Sequence, residues 1–349
     1  MASARMFRVF MLGSTGFLGS QLLVELSRSE IYAKTFHINA LLRSVSQERE
    51  STLKGVYSDL EIVEGSLDDE DIIEEQASQA DIVINCASSD NVHAVRATLS
   101  GLRTRSARQP ENPPLYIHVS GLGIISDNCR GEAVDAIEYS DTDLDLMSLP
   151  PNNQHLLCDV PIVQAGSRQE NPIRTAIIFP GWIYGAGEGV QKVTAPIRIL
   201  LTLAQSAGYL GTWGNGHNRI STIHVKDAAN AIITLMDAAF SGKALQVGNG
   251  AEELYFSVSQ GEAVRLSELT AEMGNILYRK GVVTLPGSRP YPDEVLAPSG
   301  HAGWSLFGGN LLARPERLLR LGWQPTETAK TSLMGSLPVE LEYAMQAKK

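Results

Sequence analysis

The chain has 349 residues, 43% hydrophobic and 19% charged, with a net charge of −10 and three cysteines. That length buries a large core, as one α/β unit or a domain with a lobe, while the acidity and the lack of a basic cluster exclude nucleic acid and anionic membrane as expected partners. No apolar run reaches the roughly 18 residues of a membrane span, and Cys86, Cys129 and Cys158 are too scattered for a disulfide framework or a zinc site. A small-molecule enzyme in a reducing, cytoplasmic setting, without a metal, is therefore expected. Met1 to Phe7 runs directly into the first apolar segment, so no cleavable signal is expected.

Arg8 to Leu12 is a short apolar run that stops at Gly13; Gly16 and Gly19 follow, and Gln21 to Leu26 continues with helical periodicity. This pattern predicts a strand, a tight turn and a helix start. Gly13 permits the turn, Gly16 lets backbone amides approach a pyrophosphate, and Gly19 lets the helix lie close to the strand. The diphosphate then meets free N–H groups and the positive end of the helix dipole. Gly13, Ser14, Thr15, Gly16, Phe17, Leu18 and Gly19 thus form the expected cradle for a dinucleotide. The spacing is G-x-x-G-x-x-G rather than G-x-G-x-x-G, and its place between strand and helix gives it meaning. Without a cofactor the same glycines make a structural turn.

Ile38 to Arg43 predicts a second buried strand. An NAD site places an acidic residue at its end for the ribose hydroxyls, yet none occurs between Glu30 and Glu48. Arg43 and Ser44 stand there instead. The arginine fork suits a 2′-phosphate, so NADP is expected over NAD; the alternative is a solvated arginine. Leu60 to Gly65 is the third strand, and Ser66 and Leu67 after it form the expected edge for the adenine. Asp68 to Glu75 reads as a solvated helical face.

Asp81 to Ala87 is the fourth strand; Ala87 and Ser88 are small enough for the cofactor's central phosphates and ribose to lie across the sheet edge. Cys86 has no basic neighbour in sequence and reads as packing, not as a nucleophile. A helix with Val92, Val95, Leu99 and Leu102 leads to the fifth strand, Leu115 to Ser120, and Arg174 to Phe179 forms the sixth. Repeated strand–helix units predict an α/β fold with a doubly wound parallel sheet.

The glycine turn, Asn85-x-Ala87 closing the fourth strand, Ser120 closing the fifth, and Phe179-Pro180-Gly181-Trp182-Ile183-Tyr184-Gly185 together resemble the extended short-chain dehydrogenase/reductase family, which includes nucleotide-sugar epimerases and dehydratases. Arg219 to Ala229 is similar to its return segment into the sheet. Leu245 to Gly250 resembles its last strand and Arg317 to Pro325 its C-terminal signature. The resemblance implies a Rossmann domain over residues 1–184, completed by about 219–250, and a smaller substrate lobe from 185–218 and 251–349. It puts Pro180 and Ile183 beside the cofactor. Ser120 takes the position that hydrogen-bonds a substrate carbonyl, or without the family's tyrosine only lines the cleft; Tyr184 takes a packing position at the mouth of the site, with a catalytic phenol as the alternative, and Arg219 and His224 read as substrate contacts or as structural hydrogen-bonders.

The family's chemistry rests on a tyrosine with a lysine four residues later, one helical turn apart on one face. None of the ten tyrosines here has a lysine four residues on, and no lysine occurs between Lys54 and Lys192. Tyr139 lies too near the fifth strand and has Asp143 at that spacing. The helix expected within Asn152 to Ala165 offers His155 and Asp159 instead. Histidine exchanges protons near neutral pH, and the i, i+4 spacing lets Asp159 orient it; the alternative is a partly buried polar pair at a helix end, with Pro161 starting or kinking the helix nearby.

Beyond Gly185 the strand–helix rhythm stops. Gly185 to Gly189 reads as a flexible crossing, Ile197 to Leu203 as an apolar helix, Leu266 to Tyr278 as an outer helix, and a helical tail begins at about Glu340. Two classes of function stay open. One is an NADP(H)-dependent oxidoreductase on a small organic carbonyl or alcohol, as monomer or homodimer. The other keeps the dinucleotide without redox turnover, as an isomerase, a cyclase or a redox-responsive binding protein.

Overall fold

Seven strands, apolar on both faces at the middle of the sheet and more polar at the β3 edge, build the centre of the molecule: β1 Phe7–Leu12, β2 Phe36–Leu42, β3 Leu60–Glu64, β4 Ile82–Asn85, β5 Leu115–Val119, β6 Arg174–Pro180 and β7 Leu254–Ser257. The structure is a computed structural model that describes residues 5–346; of the Met1–Phe7 stretch on which the leader expectation rests, residues 1–4 lie outside the described residues. The strands pair in parallel in the order β7-β6-β5-β4-β1-β2-β3. The direction of winding reverses between β1 and β4, and the crevice beyond their carboxyl ends is where such sheets take ligands.

Side-chain alternation explains why both faces are covered. Val9, Met11, Ile82, Ile84, Leu115 and Ile117 pack with the helices Phe17–Arg28 and Val225–Phe240. Phe10, Leu12, Val83 and Tyr116 pack on the other face, with Glu70–Gln79, Val92–Arg108 and Leu156–Gly166. Each fully buried leucine or isoleucine contributes roughly 2 kcal/mol by leaving water. In the acidic helix only Ile73 and Ala77 are buried, so its carboxylates face solvent as expected. The helix Gln47–Val56 has no counterpart among the expected elements; Ser46 caps it, accepting from the Arg49 amide at 3.2 Å.

The last strand lies elsewhere than expected. Leu245 to Asn249 is loop and Gly250 opens a short 3₁₀ turn, Gly250–Glu252: Leu245 has φ +59°, and its amide donates to the Glu253 carboxylate at 2.8 Å. Gly248 turns at φ +91° and its amide donates to the Gly166 carbonyl at 3.1 Å. These local bonds take the amides that a strand would use. β7 therefore forms from Leu254 onward, inside the stretch expected to be wholly lobe. The tail helix also starts earlier than expected, spanning Leu333–Gln346.

The remaining helices, chiefly Ala195–Ala207, Leu266–Arg279 and Gly300–Gly308, pack around Leu200, Trp213, Leu269 and Phe307. Their core is continuous with Leu122 and Trp182 at the carboxyl end of the sheet. Among the described residues no helix is long and apolar enough to cross a membrane.

Candidate active site

The glycine turn is shaped by close backbone approach. Gly13 has φ +85°, and a Cβ there would stand 2.6 Å from the Cys86 carbonyl and the Ala87 nitrogen. A Cβ on Gly19 would stand 2.1 Å from the Gly13 carbonyl oxygen. Only glycine fits either place. Gly16 begins the helix with no capping side chain, which leaves the first-turn N–H groups facing the crevice for an anion. Ser14 is fully buried with its hydroxyl unpartnered among the described residues.

A cavity of about 830 Å³ extends from this turn. Of the expected cofactor residues, Gly13, Thr15, Gly16, Arg43, Ser66, Leu67 and Ala87 line it. Sequence reasoning missed Ser46, Arg49, Asn91, Val190 and Gln191, which line it too, as do Glu48 and Asp68. The Arg49 guanidinium donates to the Ser44 carbonyl at 3.1 Å, and among the described residues neither Arg43 nor Arg49 forms an ion pair. Two such guanidiniums stand at one end of the cavity, and a glycine cradle that a Cβ would fill stands at the other. These residues fit a phosphorylated dinucleotide. Leu18 packs into the sheet side, Ser88 accepts the Asp90 amide at 3.2 Å, and Pro180 is buried. Ile183 sits in the short strand Trp182–Tyr184, paired with Thr222–His224. Cys86 lines the cavity with its thiol pushed up to about 12 by burial, which keeps it protonated and unreactive.

At the carboxyl end of β5 the arrangement is made of side chains. Tyr116, His118 and Ser120 alternate onto one face, under Asp159 in the first turn of Leu156–Gly166. Ser120 Oγ donates to Asp159 Oδ2 at 2.7 Å, and His118 Nε2 lies 3.6 Å from Asp159 Oδ1. Asn85 Oδ1 accepts the Ala87 amide at 3.0 Å, so its Nδ2 is the atom that meets His118 Nδ1 at 3.2 Å. Tyr116 Oη meets the same Nδ1 at 3.1 Å. With the Asn85 amide donating to it, Nδ1 is an acceptor, which fixes the imidazole proton on Nε2, facing Asp159.

His118 and Asp159 are both fully buried. Burial drives the imidazole down to about 3 and the carboxyl up to about 7, the latter despite the Ser120 hydrogen bond and nearby His155, which pull it down. The pair is therefore neutral at mildly acidic pH. Oδ1 and His118 Nε2, 3.6 Å apart, are too far for a hydrogen bond and stay unpartnered among the described residues, whereas a proton on Asp159 Oδ2 has Ser120 Oγ at 2.7 Å as its acceptor. The Ser120 hydroxyl then becomes a free donor; with Asp159 ionised it is spent on the carboxylate.

His155 does not meet Asp159 in the way its spacing predicts. It is the residue before the helix, with φ +70°, and its carbonyl accepts the Asp159 amide at 2.9 Å. Contact at i, i+4 needs helical backbone at both ends, and the left-handed turn carries the imidazole towards Asp90 instead. Its Nδ1 pairs with Asp90 Oδ1 at 2.8 Å. Burial alone would raise the Asp90 carboxyl, yet its hydrogen bonds to His155 and Ser89 hold it below the ordinary range. The other nitrogen, Nε2, packs over the backbone just past Ser120, where a Cβ on Gly121 or Gly123 would stand 3.1 Å from it. The His155 side chain is only 9% exposed, whereas Asp90 is 61% exposed. Asp90 precedes Asn91 in the cavity wall and so ties the histidine to the cofactor groove.

The expected substrate contacts lie apart from this cluster. Tyr184 donates to the Thr331 carbonyl at 2.6 Å and stands edge-on to His224 at 5.5 Å. His224 Nδ1 accepts the Lys226 amide at 3.3 Å, capping Val225–Phe240, and burial lowers its imidazole. Arg219 is exposed in a two-residue strand against Val264–Arg265. Among the described residues no hydrogen bond, ion pair or ring contact joins any of the three to Ser120, His155 or Asp159.

The sequence pattern of the NAD dependent epimerase/dehydratase family matches residues 9–100 and 160–248. An oxidase of Acremonium sp., ucsJ, is 25% identical over 338 residues, covering 91% of this chain and 92% of its own. The UDP-glucose 4-epimerase of Thermotoga maritima, solved with UDP-glucose, superposes with a TM-score of 0.64 at 16% identity, over 98% of this chain and 100% of its own. The dTDP-glucose 4,6-dehydratase of Bacillus anthracis, solved with NAD, gives 0.61 at 14% identity, over 97% of both chains. At that identity the two structures speak for the fold.

Proposed function

The chain belongs to the NAD dependent epimerase/dehydratase family, and from that premise we propose that it is an NADP(H)-dependent oxidoreductase acting on a small organic carbonyl or alcohol, with His155 exchanging the proton. The observation that carries this reading is the Asp90–His155 pair, set against the backbone beside Ser120. The oxidase name of the Acremonium relative supports redox chemistry over the non-redox alternative.

Arg43 and Arg49 would hold a 2′-phosphate, and the Gly13–Gly19 turn the diphosphate; the bound cofactor supplies hydride chemistry to the site. Ser120 holds the substrate oxygen, donating to it when Asp159 carries a proton. Asp90 accepts from His155 Nδ1, so Nε2 is the nitrogen left to act. Protonated, it gives a proton to the oxygen of a carbonyl being reduced; neutral, it takes one from an alcohol being oxidised. Asp159 acts through Ser120 and is a positioning residue. The segments 185–218 and 251–349, apart from β7, close the substrate side.

The test is NADPH consumption against a panel of small carbonyls, with wild type beside His155→Ala. The expected result is turnover by the wild type that falls at least about 100-fold in the variant, with NADPH affinity unchanged. Binding of NADPH without turnover on any carbonyl would move the assignment to a non-redox isomerase, cyclase or redox-responsive binding protein, the class that the missing lysine favours.

A further inference from the structure

The crossing that leaves Ile183–Tyr184 does not lie free. From Gly185, at φ +97°, to Lys192 it runs back over the helix Phe17–Arg28 as a strap. A Cβ on Gly187 would stand 3.1 Å from the Phe17 ring, and one on Gly189 would stand 2.4 Å from Ser20 Oγ, so the strap lies directly on the phosphate-binding helix. The Glu188 amide donates to Gln21 Oε1 at 2.8 Å and the Gln191 amide to Ser20 Oγ at 3.3 Å. Within the strap, Gly187 N donates to the Lys192 carbonyl at 3.0 Å and Lys192 Nζ to the Glu188 carbonyl, also at 3.0 Å. Its tip, Val190 and Gln191, shares the wall of the dinucleotide cavity with Gly13 and Gly16.

The Glu188 side chain fastens the strap to two separate helices. One carboxylate oxygen meets Lys226 Nζ at 2.5 Å, at the start of Val225–Phe240, and the other meets Arg28 at the end of the phosphate-binding helix. All three side chains are partly exposed, at 36%, 25% and 53%. Such pairs are reversible and screened by salt. We propose that residues 185–192 form a latch over the dinucleotide groove, and that the Glu188 bridge to Arg28 and Lys226 sets how fast a bound cofactor leaves. The latch rests on the dinucleotide reading of the groove and not on the identity of the proton donor.

The experiment uses the full chain loaded with NADPH, chased with excess NADP⁺, with release followed by nicotinamide fluorescence in a stopped-flow instrument. Glu188→Gln keeps the side chain's size and removes its charge. The expected result is release about 10-fold faster in the variant, a change within the reach of two cooperating surface ion pairs. Raising NaCl to about 0.5 M, which shortens the screening length to a few ångströms, should speed release from both proteins by screening the cofactor's phosphates, but by a larger factor in the wild type, whose rate then approaches the variant's. Equal release rates for the two proteins, or an equal salt response, overturn the latch while leaving the groove a dinucleotide site. If the wild type binds no NADPH at all, the dinucleotide reading fails and the latch falls with it. Tryptic cleavage after Lys192, slowed by NADPH in the wild type and less so in Glu188→Gln, is the second readout and needs no fluorescence change.

Discussion

The two ends of the crevice are built by different means. At the β1 turn the recognition groups are backbone atoms, presented in an open cavity by glycines that tolerate no side chain. At the end of β5 they are side chains, buried in a neutral network with Asp90–His155 at its edge. A backbone cradle is set by local geometry and keeps its shape when neighbouring side chains change. At the end of β5 the proposed proton donor is a side chain held by Asp90, in a sequence with no tyrosine followed four residues later by lysine. The contrast teaches that a backbone cradle and a side-chain network on one sheet edge are set by different features of the sequence.

The sharpest way to break that contrast is at the turn. Gly13→Val places a branched side chain at φ +85° and against the Cys86 carbonyl; NADPH affinity should fall by more than about 100-fold and stability by roughly 4 kcal/mol, measured by calorimetry and urea unfolding. A smaller change with full retention of binding would show that the cradle is not rigid.

The next test is at the other end. Asp159 is raised to about 7, so the stability it contributes is present at low pH and lost as pH rises through that value. His118 is depressed to about 3 from 6.5, so its contribution is present above 6.5 and lost as pH falls towards 3. The two slopes oppose each other, so the joint contribution of this pair should be nearly flat from pH 4 to 6.5, with the buried Asp141, raised to about 6, adding its own slope. Asp159→Asn removes one of the opposed pair, and the stability of the variant relative to wild type should rise with pH across that window by on the order of 4 kcal/mol in urea titrations. A flat difference between the two proteins would mean that burial does not raise the Asp159 carboxyl.

A smaller effect sharpens the division between binding and chemistry. Asp90→Asn should lower kcat about 100-fold, by loosening the imidazole, with the NADPH Kd within about 2-fold of wild type. Equal losses in both would join the two ends instead of separating them. The mildest change is at the cavity's far end: Arg43→Ala should cut the preference for NADPH over NADH by about 10-fold, read from the two dissociation constants, with more lost when Arg49→Ala is added.

Much of the site was legible, and the misses have physical causes. The glycine spacing, the strand ends and the missing lysine are properties of short segments. The alternation Tyr116, His118, Ser120 was also there to be read: a period of two puts all three on one face. Read as one more buried strand, it gave no hint that the face was polar. Asp90 carries no local signal, because its role depends on a left-handed His155 across the crevice. Arg49 belongs to a helix that was not expected. Leu245 to Gly250 misled because its apolar residues and glycines suit a strand edge, while Glu253 captures the amides that a ladder would need.

Sequence by itself determined the parallel sheet, the glycine turn between β1 and its helix and the lack of any tyrosine with a lysine four residues on, since each depends on residues close together along the chain. Tertiary structure alone decided that Asp90 holds His155 across a separation of 65 residues and that Asp159 holds Ser120 across 39. Such contacts depend on how β4, β5 and the helix after His155 converge at one sheet edge, and on a single backbone angle at His155. Periodicity in the sequence says which face a residue takes, not which distant residue will meet it there.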